Sequence, residues 1–209
     1  MPSYKLTYFD ARGFAEPARI ILHLAGVSFE DVRVSREDGS WEKIQDSTPF
    51  GKLPVLSVDG FDIPQSAAII RYLANKFGYA GKTAEEKAWV DAIVDQFKDF
   101  VGAFSELIMA QRSGKSAEEI ARISTEVTTP AKEAWFKILN GILDKSKSGF
   151  LVGDGLTFAD LVAVENVTTL EKNGFLVASE QPKLIALREK VYGIPAIKKW
   201  IETRPDTQF

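Results

Sequence analysis

The hydrophobic pattern of this chain changes once, near residue 80, and this change limits the possible folds more than any other feature. Before it, short β-prone runs alternate with helical segments; after it, apolar residues recur only at helical spacings. Phe97, Phe100 and Phe104, for example, lie 4, 7 and 11 residues after Ile93 on one predicted helix face. The pattern predicts an α/β domain over 1–80 and an all-α helical domain over 81–209.

The first domain is predicted to have the order βαβ, a short irregular stretch, and then ββα. Asp59-Gly60 separates two β-prone runs, and this dipeptide favours the positive φ angles of a type I′ hairpin turn. The predicted segments are strands at Lys5–Phe9, Phe29–Arg33, Val55–Val58 and Phe61–Ile63, and helices at Pro17–Gly26 and Ser66–Phe77. That order of elements is typical of a thioredoxin-like domain.

The second domain is predicted to contain helices alone. The first helix covers Ala84–Gln111, and the next, Ala117–Leu143, is interrupted by Pro130 because proline lacks a backbone N–H. Thr157 and Asp160 form a variant of the capping box that begins a further helix. These helices are expected to form a bundle that packs against the first domain.

The composition excludes several kinds of function. No cysteine is present, so the chain has no disulfide, no cysteine-metal site and no thiol nucleophile of its own. The formal net charge of -3 gives no general attraction to nucleic acid. No apolar run approaches the roughly 20 residues that span a bilayer, and the first ten residues do not read as a signal peptide. We therefore expect a cytoplasmic protein without a metal ion, a nucleic-acid partner or a membrane segment.

Three short features could carry chemistry, and each has an ordinary structural alternative. Tyr8 ends the first strand, where α/β proteins place ligands, although a strand tyrosine can also simply pack its ring. A cis bond between Leu53 and Pro54 would expose the Leu53 backbone to an extended ligand, although the segment also reads as a plain loop. Gln65 and Ser66 begin a helix whose free N–H groups favour a carboxylate, although serine is also a common N-cap.

The order and spacing of these features, with Trp41 between them, resemble the cytosolic glutathione S-transferases. The resemblance covers essentially the whole chain and is closest to the sigma-like class, including its prostaglandin-D-synthase branch. It rests on YKLTYFDARGFAE, PFGKLPVLSVDG and QSAAIIRYLA in the first domain, and on VDAIVDQFKDF and LTFADL in the second. It implies a homodimeric enzyme that uses glutathione as a co-substrate, has no resident cofactor, and conjugates the thiolate to hydrophobic electrophiles or reduces hydroperoxides.

The resemblance assigns a role to each of the three features. Tyr8 would donate a hydrogen bond to the glutathione sulfur and thereby favour the thiolate. Gln65 and Ser66 would hold the γ-glutamyl carboxylate at the start of their helix. Leu53, which precedes Pro54, would pair its backbone with the cysteinyl unit as an added strand does.

Further roles concern the two ends of glutathione and the dimer. Trp41 and Lys52 would hold the glycyl end through an indole N–H and an ammonium group. Asp99 lies on one helix stripe with Asp91 and Asp95, which reads either as a solvated face or, by the resemblance, as a face that sends Asp99 across the dimer to the γ-glutamyl amine. Phe50 is an aromatic residue just ahead of Pro54, and the resemblance implies that it inserts into the partner subunit.

The acceptor pocket is expected to be apolar. Phe14, Phe104, Val162 and the terminal Phe209 should line it beside the sulfur. Phe14 and Val162 replace a basic and an aromatic residue expected in the prostaglandin synthases, so we do not predict that isomerisation.

Two positions depart from the family pattern. Phe14 stands where an arginine often supports the thiolate, so the electrostatic support must come from Tyr8, Arg12 or water. Gln45 stands where a basic residue commonly binds the glycyl carboxylate, so glutathione binding should depend more on Trp41 and Lys52. The alternative function is therefore a non-catalytic carrier of apolar ligands, although a carrier has no need of a positioned phenol.

Overall fold

The computed structural model describes residues 2–209, in which the first domain is built on a four-stranded mixed sheet. The strands are β1 (Tyr4–Phe9), β2 (Glu30–Val34), β3 (Val55–Val58) and β4 (Phe61–Pro64). Their order is β2-β1-β3-β4, with β1 and β2 parallel and the other neighbours antiparallel. The predicted thioredoxin-like domain is therefore confirmed.

Local signals in the sequence place the helices and the turn of this domain. The helices are α1 (Glu16–Leu24), α2 (Ser40–Ile44) and α3 (Ser66–Phe77). Pro17 lies in the first turn of α1, where a backbone N–H would have no intrahelical acceptor, so proline is tolerated there. Gly78 ends α3 with φ 87°. Asp59 and Gly60 have φ values of 51° and 87°, so the predicted hairpin turn with two positive φ angles is present.

The second domain is helical throughout, as predicted. Its helices are α4 (Ala84–Arg112), α5 (Ala117–Ile123), α6 (Thr129–Leu143), α7 (Phe158–Lys172), α8 (Pro182–Tyr192) and α9 (Pro195–Thr203). The predicted interruption is a π-helical turn at Ser124–Thr128, which precedes Pro130 because proline fits the first turn of α6. Within residues 2–209, none of the helices combines the length and the apolarity needed to cross a bilayer. The predicted boundary at 80/81 falls between α3 and α4 and stays a prediction.

Helix α7 runs through the core and begins at the predicted capping motif. The Asp160 carboxylate accepts hydrogen bonds from the backbone N–H of Leu151 at 2.7 Å and from that of Thr157 at 2.8 Å. The Thr157 hydroxyl donates a third, at 2.9 Å. Burial raises the pKa of Asp160 to about 6, against the opposing effect of these donors. This carboxylate therefore ties the preceding loop to the start of α7.

A buried ion-pair network joins the two domains. Arg204 donates to Glu16 at 2.8 Å and to Glu165 at 3.1 Å, and Arg12 donates to Glu165 at 2.9 Å. Although burial alone would raise it, the charges of Arg204 and Arg19 hold the pKa of Glu16 below its usual range. Because each carboxylate faces more than one guanidinium, the network fixes the position of α1 against α7 and α9.

Candidate active site

The register of the sheet brings the three short features of the sequence together at one edge. Thr7 of β1 is paired with Val55 of β3, and Val55 is paired with Pro64 of β4. The residue after Thr7, the residue before Val55 and the residue after Pro64 are therefore neighbours. These neighbours are Tyr8, Pro54 and Gln65.

Tyr8 is a buried phenol at the end of β1, with its hydroxyl facing a cavity between the domains. The backbone N–H of Phe14 donates to the phenol oxygen at 3.3 Å. Burial raises the pKa of Tyr8, and the Phe14 N–H and the charges of Arg19, Arg36 and Arg112 oppose that rise. The phenol therefore keeps its proton near neutral pH and can donate it to a hydrogen-bond acceptor in the cavity.

Gly13 allows the loop after β1 to approach this phenol closely. Its φ is 40°, and a Cβ atom built there would lie 2.6 Å from the Tyr8 hydroxyl oxygen. A side chain at this position would therefore combine an unfavourable backbone conformation with a steric clash. Gly13 was not predicted as a site residue, because its only signal in the sequence is that a glycine follows the strand closely.

The segment before β3 contains the cis peptide bond that was considered from the sequence. The Leu53-Pro54 peptide bond is cis, Pro54 is buried, and the Lys52 side chain is exposed. Trp41 is buried with its ring edge-on to Phe9, at a centroid distance of 5.4 Å.

The Trp41 indole N–H differs from two other indole groups of the chain in its hydrogen bonding. Those of Trp135 and Trp200 donate to side chains at 3.1 Å and 2.7 Å. The Trp41 N–H has no acceptor among residues 2–209, so it is available to a ligand.

Gln65 has an unusual backbone conformation immediately before α3. Its φ is 72° and its ψ is 117°, although it is not a glycine. Such conformations cost about 1–3 kcal/mol and are concentrated at ligand-binding sites. Ser66, the first residue of α3, lines the cavity, so the N-terminus of this helix opens toward the ligand space.

The cavity has a volume of about 390 Å³ and separates the sheet edge from the helical domain. The four residues predicted for an acceptor pocket all line it: Phe14, Phe104, Val162 and Phe209. Tyr8 and Ser66 line it as well. The structure therefore places the phenol, the start of α3 and the predicted apolar residues around one space.

Phe209 is held in place beside this cavity. The backbone N–H of Arg12 and the Thr207 hydroxyl both donate to the Phe209 carboxyl-terminal oxygen, each at 2.7 Å. Phe209 lines the cavity, with its ring centroid 5.8 Å from the guanidinium carbon of Arg112. These contacts anchor the last residue, and its movement as a flap stays a prediction.

Three further charged residues concern this site: one was predicted to act across a dimer, one was considered as a support for the thiolate, and one was missed. Asp99 is exposed on α4, accepts from the Gln96 amide at 2.8 Å, and does not line the cavity of its own chain. Arg12, considered as a support for the thiolate, is instead occupied by Glu165. Arg112, which does line the cavity, was missed; its signal was its position on the helical stripe of α4. Within residues 2–209, no cluster of three or more His, Cys, Asp or Glu side chains could hold a metal ion.

Comparison with known proteins covers both domains. The family model described as "Glutathione S-transferase, N-terminal domain" matches residues 4–75, and the one described as "Glutathione S-transferase, C-terminal domain" matches residues 98–204. A curated relative, Glutathione S-transferase 4 of Caenorhabditis elegans, is 50% identical, and the alignment covers 99% of both chains.

Two solved structures extend this similarity to three dimensions. A Nu-class GST from Haemonchus contortus is 47% identical, with a TM-score of 0.89 and 100% of each chain covered. Na-GST-3 of the hookworm Necator americanus, described as a monomeric glutathione S-transferase, is 46% identical, with a TM-score of 0.89 over 99% of this chain and 100% of that one.

Proposed function

The chain belongs to the glutathione S-transferase family, and from this premise we propose that its cavity joins the glutathione thiolate to a hydrophobic electrophile. Glutathione is the co-substrate, and the chain's own side chains supply the rest of the chemistry. The observation that carries the proposal is the Tyr8 hydroxyl, which faces the cavity while its oxygen accepts from the Phe14 N–H.

The phenol promotes ionisation of the thiol. A free thiol has a pKa of about 8.5, so only about 3% is thiolate at pH 7, and a decrease of about 2 units makes the thiolate the major form. Because its oxygen accepts from Phe14, the Tyr8 O–H is free to donate to the sulfur. The thiol proton passes to solvent and the sulfur bonds to the electrophilic carbon. In a substitution the leaving group departs with its electron pair, and in an addition to an α,β-unsaturated carbonyl the α-carbon takes up a proton from solvent.

Three guanidinium groups support this step in place of the arginine that Phe14 replaces. The charges of Arg19, Arg36 and Arg112 all act to lower the pKa of Tyr8. Arg19 is the nearest buried one, with its guanidinium carbon 6.0 Å from the centroid of the Tyr8 ring. A positive charge that favours phenolate also favours a thiolate at the same place.

Glutathione lies along the sheet edge in an extended conformation. Its γ-glutamyl carboxylate binds at the start of α3, where Gln65 has its positive φ and Ser66 faces the cavity. Its cysteinyl unit pairs with the backbone of Leu53, and its glycyl end binds the free Trp41 indole N–H and the exposed Lys52 ammonium. The sheet register supports this path because it places these segments side by side.

A two-fold dimer completes the site in this proposal. Phe50 is 59% exposed, and a groove that contains Trp89 (53% exposed) and Ile138 (36% exposed) lies between α4 and α6. An exposed aromatic side chain and an exposed apolar groove are complementary surfaces on two copies of one chain. Asp99, which does not line the cavity of its own chain, would then reach the γ-glutamyl amine of glutathione bound to the other subunit.

One relative is described as monomeric, so the oligomeric state of this chain is the first quantity to measure. Sedimentation at micromolar concentration should give a dimer, and Phe50→Ala should shift it toward monomer. A fully active wild-type monomer would exclude a shared site.

Conjugation assays test the function itself. A generic aromatic electrophile should be conjugated, and within a homologous acceptor series the more apolar members should have higher kcat/KM until the cavity is full, because burying a ring contributes roughly 1.5–3 kcal/mol. An organic hydroperoxide assayed with glutathione tests the peroxidase activity. Binding of apolar dyes without turnover of any acceptor would instead favour the carrier function, which the apolar cavity also permits.

The class within the family and the location in the cell are also proposals. The order of Tyr8, Trp41 and the Gln65-Ser66 pair supports a sigma-like class, while the Haemonchus relative, described as Nu-class, gives the alternative. We propose a cytoplasmic location, which cell fractionation tests.

A further inference from the structure

Two arginines differ from the others in their electrostatic surroundings. Of the nine arginines in the sequence, seven form ion pairs with carboxylates: Arg12, Arg19, Arg33, Arg71, Arg122, Arg188 and Arg204. Arg36 and Arg112 have no carboxylate within ion-pair distance in the part of the chain that is described. An unpaired guanidinium has its full capacity to bind an anion.

Arg112 is the one of the two that lines the cavity. It is the last residue of α4, it is exposed, and its guanidinium carbon lies 5.8 Å from the centroid of the Phe209 ring. The Phe209 main-chain oxygen accepts from the Arg12 backbone N–H and the Thr207 hydroxyl, each at 2.7 Å, so this oxygen is bound to groups other than Arg112. The guanidinium therefore lies over an aromatic ring, and its N–H groups have no acceptor in the described part of the chain.

The two other charged side chains that line the cavity are paired with opposite charges. Lys98 forms an ion pair with Asp95 at 2.6 Å, and Glu165 binds Arg12 at 2.9 Å and Arg204 at 3.1 Å. Arg112 is thus the one cavity-lining cation without a carboxylate within ion-pair distance among residues 2–209. Its field extends to the reacting end of the cavity, because its charge also lowers the pKa of Tyr8.

The cavity wall gives this charge a defined position relative to apolar surface. Val101, Phe104 and Ile108 line the cavity from α4 at intervals of three and four residues, and Arg112 continues the same stripe after four more. From Val101 to Arg112 this stripe is about 16 Å long, at about 1.5 Å per residue. A ligand along it meets apolar side chains first and a cation at the end.

We propose that Arg112 is a specificity-determining residue that binds a carboxylate on the second substrate, so that the preferred acceptors are amphipathic molecules with an apolar body and an anionic end. The proposal rests on the proposed function, because it assigns a chemical class to the acceptor of that same cavity. It adds a charge preference to the preference for apolar surface that the sequence predicts.

A purely structural role for Arg112 makes a different prediction. A cation in the last turn of a helix interacts favourably with the carbonyl end of the helix dipole, and Arg112 occupies that position in α4. In that role it would affect stability and would not distinguish a charged acceptor from a neutral one. The charge preference therefore separates the two roles.

The experiment compares matched acceptors. Linear α,β-unsaturated ketones of increasing length are prepared as terminal carboxylates and as the corresponding methyl esters, and kcat/KM is measured for each pair. The ratio of acid to ester should be about fivefold lower in Arg112→Met than in the wild type, which corresponds to about 1 kcal/mol for a solvent-accessible ion pair. Arg112→Lys should retain part of the preference, and raising the salt from about 0.1 M to about 1 M should reduce it.

Lys98→Met is the matched control, because it removes a cation from the same helix and cavity whose charge is already paired. It should leave the acid-to-ester ratio unchanged. An equal decrease in both variants would overturn the proposal, because net charge alone would then explain the preference.

A normal ratio in Arg112→Met, with esters still conjugated, would overturn this inference alone. If no acceptor is conjugated at all, the proposed function fails. Binding of the carboxylates, measured by displacement of an apolar fluorescent anion, would still report on Arg112. Unchanged carboxylate affinity in Arg112→Met would then contradict the inference independently.

Discussion

The two walls of the cavity are built in different ways. The wall from the first domain depends on backbone geometry: Gly13 at φ 40°, Gln65 at φ 72° and an N–H from Phe14 on the Tyr8 oxygen. The wall from the second domain depends on side chains spaced along α4 and α7, such as Phe104 and Val162, in regular helical backbone.

This difference determines how each wall tolerates change. A backbone that approaches a phenol within van der Waals distance has little freedom, so a single added methyl group should disturb the chemistry. A helical wall can exchange one apolar residue for another and change only the shape of the pocket. In the proposed function, the wall that binds glutathione should therefore be sensitive to substitution. The wall that binds the acceptor should tolerate it.

The largest effect should come from the backbone of the first wall. Gly13→Ala places a Cβ atom 2.6 Å from the Tyr8 oxygen and should lower kcat/KM roughly 100-fold, because displaced catalytic groups lose rate steeply. Gly26→Ala is the matched control, since Gly26 also has a positive φ, 63°, but has no atom within 4 Å of a built Cβ. Equal losses of activity in both variants would show that backbone strain, and not the contact with Tyr8, is responsible.

The next effect should come from the phenol itself. Tyr8→Phe should raise the pKa of the bound thiol by about 1–2 units and slow conjugation near pH 7 roughly tenfold to a hundredfold. The rate should rise with pH through the thiol pKa, and since burial raises the pKa of Tyr8 above 10.0, the phenol stays protonated over that range. The absorbance of bound thiolate against pH gives the measurement. The KM for glutathione should change little. The same midpoint of the thiolate titration in the wild type and in Tyr8→Phe would show that Tyr8 does not stabilise the thiolate.

A smaller effect should come from Asp99, which belongs to neither wall of its own cavity. Asp99→Ala should raise the KM for glutathione about fivefold, as expected for one partly exposed ion pair across the dimer. Asp95→Ala, one turn earlier on α4 and paired with Lys98, should leave the KM for glutathione unchanged. Thermal unfolding checks that both variants are folded. A normal KM in a dimeric Asp99→Ala protein would contradict the shared site.

The smallest effect should come from the wall that binds the acceptor. Phe209→Ala should raise the KM for apolar acceptors about threefold, because part of one aromatic ring leaves the pocket, and should leave the KM for glutathione unchanged. Deleting Phe209 also removes the oxygen that accepts from Arg12 and Thr207, so the deletion should add a loss of stability that the substitution lacks. If neither change affects any acceptor, Phe209 does not contribute to acceptor binding.

Much of the fold follows from local patterns in the sequence. Ser66–Phe77 was predicted and found as a helix that Gly78 ends, and Asp59-Gly60 forms the predicted turn, because both depend on neighbouring residues alone. The four apolar residues that the family resemblance predicted for an acceptor pocket all line the cavity, and their role in binding an acceptor stays a prediction. Arg112 was missed because a cation at the end of a helix has an ordinary local explanation.

The sequence by itself determined the element types, the two-domain order and the family, because periodicity, turn residues and short motifs act over a few residues. Only the tertiary structure decided which groups remain free to react. Arg12 and Arg112 are the same residue type near the same cavity, yet the fold places Glu165 against Arg12, while no carboxylate of residues 2–209 lies within ion-pair distance of Arg112. Whether a charge is neutralised depends on residues that are distant in sequence: Arg12 and Glu165 are separated by 153 positions. No local pattern encodes that distance, since it is set by how α1 and α7 pack.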